Sequence, residues 1–204
     1  MVDLFEEKAK DWDKDDFKTR LSRAIGTTML EHLDFTADMD IMDFGAGTGL
    51  IAGHLAPKVA HIAAVDISQA MLDRLAAKPE LRGKVDTLCQ DIMDHPLPQK
   101  FDVIVSAMAM HHVEDTDKLI ESFAAHLKAG GRVALADLDH EDGTFHPAGT
   151  TGVFHAGFKR DLLQRLLNKH GISDVQFVTA YAVERGDKVF PIFLVLGQKS
   201  APAA

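Results

Sequence analysis

The chain has 204 residues, 46% hydrophobic and 26% charged, which is the balance of a globular domain and a length that favours one domain over two. Thirty-one acidic against 22 basic residues give a formal charge of −9, and no lysine or arginine cluster overrides it, so nucleic acid is not an expected partner. No apolar run approaches the ~18 residues of a membrane span, and the N-terminus "MVDLFEEKAKDWDKDDFK" is charged where a signal peptide is apolar, so a cytoplasmic protein is expected.

Along the chain, Phe17, Leu21, Ala24, Ile25, Thr28 and Leu33 first mark an amphipathic helix, preceded by a polar stretch that holds Phe5 and the only tryptophan, Trp12. Apolar runs of strand length follow at Met39–Phe44, His61–Val65, Val85–Leu88, Phe101–Ala107, Arg132–Leu138, Asp174–Ala182 and Val189–Leu196. Helical patterns lie between most of them. Ser68 is placed to cap a helix bearing Met71, Leu72, Leu75 and Ala76. Leu119, Ile120, Phe123, Ala124 and Leu127 mark another, expected to end at Gly130-Gly131, and Phe158, Leu162, Leu163, Leu166 and Leu167 mark a third, stopped by Gly171. Strands alternating with helices imply an α/β fold: a doubly wound, mostly parallel, Rossmann-like sheet with both faces covered. Ligands of such sheets sit at the carboxyl ends of the strands.

In "MDFGAGTG" Gly45 follows the first strand directly, and Gly49 opens a helix, "GLIAGHLA". Glycines there permit positive φ and let a ligand touch the backbone. The dinucleotide pattern G-x-G-x-x-G would need glycine at position 50, which is Leu50, and a nucleoside triphosphatase loop would need a lysine that is absent. Carboxylates end the first three strands at Asp43, Asp66 and Asp91. An acid after the second strand can accept both ribose hydroxyls, and an acid after the third can accept an adenine amino group. The set reads as a nucleoside pocket beside a loop made for a group without phosphate. The lone Cys89, in "VDTLCQD", reads as a buried strand thiol; it excludes an intramolecular disulfide and argues against a cysteine metal site.

On these motifs the sequence resembles the class I S-adenosylmethionine-dependent methyltransferases, in particular their type 11, ubiquinone-biosynthesis-like group. The resemblance runs from about Phe5 to Val183 and rests on "DFGAGTG", "AVDIS", "CQDIMDHPLP", "FDVIVSAMAMHHVED" and "LKAGGRVALADLD". It implies a seven-stranded sheet with an antiparallel last strand, and S-adenosyl-L-methionine as cofactor, leaving as S-adenosyl-L-homocysteine. It further implies that Gly45, Ala46, Gly47 and Gly49 border the methionine part, Asp66 and Ile67 the ribose, and Asp91 and Ile92 the adenine, with Trp12 in a segment covering the cofactor. Asp43, Met71, Ser106 and Met108 complete the expected cofactor set. The expected organisation is a single domain with an N-terminal helical lid over 1–38, a core over 39–199 and a tail over 200–204.

Methyl transfer is an in-line displacement that depends mainly on alignment. The fourth strand runs into "MAMHHVED", which makes His111 or His112 a candidate to take an acceptor's proton, and His155 in "FHAGF" is the candidate from the long segment after the fifth strand. Asp137, Asp139 and His140 share the same edge, where turn formation explains them equally well. Five histidines between 111 and 155 raise the question of a metal, but no i, i+4 histidine pair supports one, and none is expected. The acceptor is expected to be a small, partly apolar molecule. A non-catalytic S-adenosylmethionine-binding sensor or scaffold is the alternative; a nicotinamide oxidoreductase is disfavoured by Leu50 and by the lack of a Tyr-x-x-x-Lys pair.

Overall fold

The computed structural model describes Asp3 and residues 5–200, so the expected tail, residue 200 apart, lies outside the described residues. Seven strands form one sheet: β1 (Asp40–Phe44), β2 (His61–Asp66), β3 (Val85–Cys89), β4 (Phe101–Ala107), β5 (Leu127–Leu138), β6 (Ile172–Arg185) and β7 (Lys188–Lys199). Their order is β3-β2-β1-β4-β5-β7-β6, with β1 to β5 parallel and β7 antiparallel to both its neighbours. The chain starts at the centre, winds outward to β3 and returns to lay β4 on the other side of β1. That reversal between β1 and β4 opens a crevice at the strands' carboxyl ends.

The helices are α1 (Glu6–Ala9), α2 (Asp16–His32), α3 (Leu50–Leu55), α4 (Gln69–Ala76), α5 (Thr116–His126) and α6 (Arg160–Lys169). Alternate strand residues face opposite layers. Ile41, Ile62 and Val103 meet Leu21, Ile25 and Met29 of α2 and Leu55 of α3, whereas Met42, Ala63 and Ile104 meet Ile120 and Phe123 of α5 and Leu163 and Leu167 of α6. Asp15 caps α2, accepting from the amides of Phe17 and Lys18, and Ser68 caps α4, accepting from that of Met71 at 3.2 Å.

Three expectations change. The helix bearing Leu119 stops at His126, and Gly130-Gly131 lie inside β5, where a Cβ on Gly131 would come within 3.1 Å of the carbonyl oxygen of Phe101. Phe158 precedes α6 and bridges to Asp139 instead of starting the helix. Cys89 is exposed, not buried, because β3 is an edge strand and Cys89 ends it. Among the described residues no helix is long and apolar enough to cross a membrane.

Candidate active site

A cavity of about 650 Å³ occupies the crevice, within the usual size of small-molecule sites, ~300–1,000 Å³. Its floor is the loop after β1. Gly45, Gly47 and Gly49 all have positive φ (68°, 54° and 81°), and the amides of Gly45 and Ala46 donate to the carbonyl oxygen of Val65 at 2.9 and 3.1 Å, which folds the turn back over β2. A Cβ on Gly45 would lie 2.3 Å from the Cβ of Ala109, and one on Gly49 would lie 2.6 Å from Leu75. At Gly47 nothing among the described residues stands within 4 Å of that position. Two of the glycines are therefore required by packing, and the middle one leaves open space against the backbone.

Two carboxylates converge there. Asp66 accepts from the amide of Gly47 (2.8 Å) and from that of Ser68 (2.9 Å), so it ties the loop to the start of α4 and keeps a lone pair free on each oxygen. Burial raises its pKa, opposed by these hydrogen bonds. Asp43 is buried, and its Oδ2 has no hydrogen-bond partner among the described residues. Burial first, and the Asp66 charge second, push its carboxyl up to about 8. A buried acid with an unpartnered oxygen and a raised pKa, lining a cleft, is a candidate functional group.

The N-terminal segment lies over the cavity and is fastened by carboxylates. Asp3 accepts from the hydroxyl of Ser68 at 2.8 Å, and Asp13 accepts from the hydroxyl of Thr48 and pairs with Lys78 at 2.7 Å. This brings Phe5 and Trp12 into the lining, edge to face with centroids 6.2 Å apart. Lys18 Nζ sits 3.8 Å from the centre of the Trp12 ring, a cation–π contact that occupies one ring face. Exposed Phe154 and Ile67 continue the apolar rim.

Beyond β4 the chain turns at Met108, a non-glycine residue at φ 57°, into the histidine pair. His111 is buried: Nδ1 lies 2.7 Å from Asp137 Oδ1, and its amide donates to Asp137 Oδ2 at 3.2 Å. His112 lines the cavity, packs edge-on against Phe5 at 5.5 Å, and has Nδ1 2.5 Å from the carbonyl oxygen of Gly152. Burial and the neighbouring His111 lower its pKa to about 4, so the ring is neutral at physiological pH. The segment 139–158 holds the pair from behind, since Phe154 and His155 both donate their amides to the carbonyl oxygen of His111.

Of the residues expected from sequence, Trp12, Asp43, Gly45, Ala46 and Gly47 line the cavity, as do Asp66, Ile67, Met71, Asp91, Met108 and His112. Gly49, Ile92 and Ser106 stand behind the lining: Gly49 packs at the start of α3, Ile92 in the core, and Ser106 is buried with a hydroxyl that has no partner among the described residues. Two candidate proton acceptors lie elsewhere. His111 is turned into the protein toward Asp137, and His155 Nε2 sits 2.9 Å from the carbonyl oxygen of Val113, pinning the loop. Lys18, Met93 and Phe154 join the lining without having been singled out, although Met93 lies within "CQDIMDHPLP" and Phe154 beside His155; only Lys18 has no motif next to it. Among the described residues no group of three or more His, Cys, Asp or Glu side chains is arranged to hold a metal ion.

Comparison with known proteins bears on the family and the fold. Residues 41–131 match the family model described as a methyltransferase domain. An uncharacterized methyltransferase of Schizosaccharomyces pombe is 32% identical over 157 residues, covering 69% of this chain and 55% of that protein. The mitochondrial ubiquinone biosynthesis O-methyltransferase of the same yeast is 26% identical over 148 residues, 67% of this chain and 54% of its own length. The chain thus spans about half the length of these curated relatives. The crystal structure of the N-methyltransferase NodS of Bradyrhizobium japonicum with S-adenosyl-L-homocysteine superposes with a TM-score of 0.73 at 16% identity, covering 99% of this chain and all of the other, and shares its fold.

Proposed function

We propose that the chain is a class I S-adenosylmethionine-dependent methyltransferase that transfers the sulfonium methyl group to a small-molecule acceptor with a partly apolar body, on the footing that residues 41–131 match the methyltransferase domain and a yeast methyltransferase is 32% identical over 157 residues. The observation that carries this reading is one continuous cavity joining the open backbone at Gly47, the acids Asp43 and Asp66, and the apolar corner beside His112.

The residues present suit the cofactor. Gly47 leaves room for a methionine moiety against the backbone, and the buried Asp43 carboxyl offers an unpartnered oxygen to its ammonium group. Asp66 has free lone pairs for two ribose hydroxyls, and Asp91, which accepts from the amide of Met93 at 2.8 Å, orders the turn expected to border the adenine. When bound, S-adenosylmethionine supplies an electrophilic methyl group. The chain supplies alignment and exclusion of water: Phe5 and Trp12 close over the site, and the strained turn at Met108 fixes the corner where an acceptor meets the methyl. With Ile67, Met93, Val113 and Phe154 in the lining, the acceptor side is mostly apolar. The test is thermal: S-adenosylhomocysteine raises the melting temperature of the wild type, and Asp66→Ala abolishes the rise. No shift at millimolar ligand refutes the reading.

A further inference from the structure

Behind the cavity, the connection 139–158 turns the dipeptide Phe145-His146 toward the protein. The His146 ring packs beside the histidine pair, 5.1 Å from His111 and 6.1 Å from His112, which lines the cavity. Phe145 is buried and meets Phe190 of β7 edge to face at 5.4 Å. Arg185, the last residue of β6, closes over it. Its guanidinium carbon lies 4.3 Å from the centre of the Phe145 ring and 5.7 Å from that of Phe17 on α2, and Nη1 donates to the carbonyl oxygen of Phe145. One exposed side chain thus joins α2, the connection 139–158 and the β6–β7 hairpin.

Two of those segments wall the cavity, although Arg185 is not in its lining. Lys18, Leu21, Ser22 and Ile25 line it from one face of α2; the connection supplies Phe154 and holds His112 through the carbonyl oxygen of Gly152. Elsewhere the connection is tied near its ends. Asp139 pairs with Arg160, Lys188 reaches Asp142 and Thr144, and His155 Nε2 meets the carbonyl oxygen of Val113. Between Phe145 and Thr151, Arg185 supplies the one side-chain hydrogen bond that comes from outside the connection, among the described residues. A guanidinium can lie against an aromatic ring while its edge donates in plane, whereas an ammonium is a point charge without that planar fork. Without Arg185 both ends of the connection stay tied, and α2 stays packed through Leu21, Ile25 and Met29, so the fold persists while the middle of the connection loosens.

Resting on the methyl-transfer reading, we propose that Arg185 is a positioning residue outside the cavity: by tying Phe145 to Phe17 it sets the gap between α2 and the connection 139–158, and so the bulk of the acceptor that fits.

The experiment compares the wild type with Arg185→Met, which keeps an unbranched stem, and Arg185→Lys, which keeps the charge. Each protein is incubated with methyl-labelled S-adenosylmethionine and a metabolite extract, and the labelled products are resolved by mass spectrometry. Both variants are expected to label heavier acceptors at least tenfold more, relative to the main wild-type product, and to keep the S-adenosylhomocysteine melting shift. Chymotrypsin, which cuts after Phe145 and Phe154 once the connection opens, is expected to cleave both variants at least tenfold faster than the wild type. Unchanged product ratios, even with a lower total rate, make Arg185 a structural residue only and overturn the inference; so does cleavage at the wild-type rate. Wild-type behaviour of Arg185→Lys alone overturns the stacked geometry. A wild type that labels nothing, or shows no melting shift, overturns the methyl-transfer reading instead, and the cleavage comparison then still decides whether Arg185 holds the connection.

Discussion

A carboxyl held protonated in the core leaves a signature in the stability of the free protein. Asp43 has its pKa pushed up to about 8 by burial and by the Asp66 charge, against an unfolded value near 3.9. The sign follows from proton counting. Between these values the folded chain holds a proton that the unfolded chain has released, so stability falls as pH rises, until Asp43 ionises in the folded state. For pH 6 to 8.5 the change is 2.3RT multiplied by the pH interval over which folded Asp43 stays protonated, which gives about 2.5 kcal/mol. In a chain of this length that lowers the melting temperature by roughly 5–10 °C. His112, whose pKa is lowered to about 4, acts in the opposite direction, adding stability as pH rises from about 4 to 6.5, so its effect is complete before most of the Asp43 window. The assay is calorimetry of ligand-free protein at pH 6, 7, 8 and 8.5, beside Asp43→Asn. The amide is a neutral isostere of the protonated acid, so the variant is expected to melt near the wild type at pH 6 and above it at pH 8.5. A wild-type melting temperature that stays flat across this range, or an equal slope in the variant, refutes the account of Asp43.

The glycine loop and the buried His–Asp pair give two further expectations. Gly47→Ala meets open space and costs only the strain of a positive φ, about 1–2 kcal/mol, yet is expected to weaken S-adenosylhomocysteine binding at least tenfold by calorimetry. Gly45→Ala drives its Cβ into Ala109 and is expected to lose about 3 kcal/mol or fail to fold; the reverse ranking in stability would contradict the packing described. Asp137→Ala strands the His111 ring nitrogen and two amides in the core, and urea denaturation is expected to show a loss of about 3–5 kcal/mol; a loss under about 1 kcal/mol would mean that Asp137 does not hold this turn.

Much of this was legible in the sequence because it is local. The strand of Met42 and Phe44 running into "GAGTG", the cap at Ser68 and the acids at Asp43, Asp66 and Asp91 each follow from short-range pattern. Parallel pairing then sets the ends of β1 and β2 side by side. What was not legible depends on sheet order or long contacts. Cys89 reads as a buried strand residue until β3 proves to be an edge. Gly130-Gly131 reads as a helix stop, because nothing local reveals that Gly131 must pass close to the carbonyl of Phe101. The histidine cluster shows the same limit: spacing alone gives His111, His112 and His155 equal standing, whereas Asp137, 26 residues beyond His111, and Gly152, 40 beyond His112, decide which nitrogen faces the cavity.

The contacts of the N-terminal segment tie this division to function. Asp3 reaches Ser68, which follows the ribose-side acid, and Asp13 reaches Thr48 within the glycine loop, so the lid is fastened to the cofactor-side residues and not to the histidine side. Phe5 spans both, packing edge-on against Trp12 and His112. The cofactor half is thereby held by short polar contacts that sequence motifs can encode. The acceptor half is walled by exposed apolar side chains, Phe154 among them, and by a twenty-residue connection from Asp139 to Phe158. That connection is held by backbone bonds to His111, Leu138 and Pro191 and by its own side chains: Asp139 pairs with Arg160, Asp142 and Thr144 meet Lys188, and the His155 ring meets the carbonyl oxygen of Val113. Each of these contacts joins segments far apart in sequence, which is the physical reason that the cofactor side is readable from local motifs and the acceptor side is not.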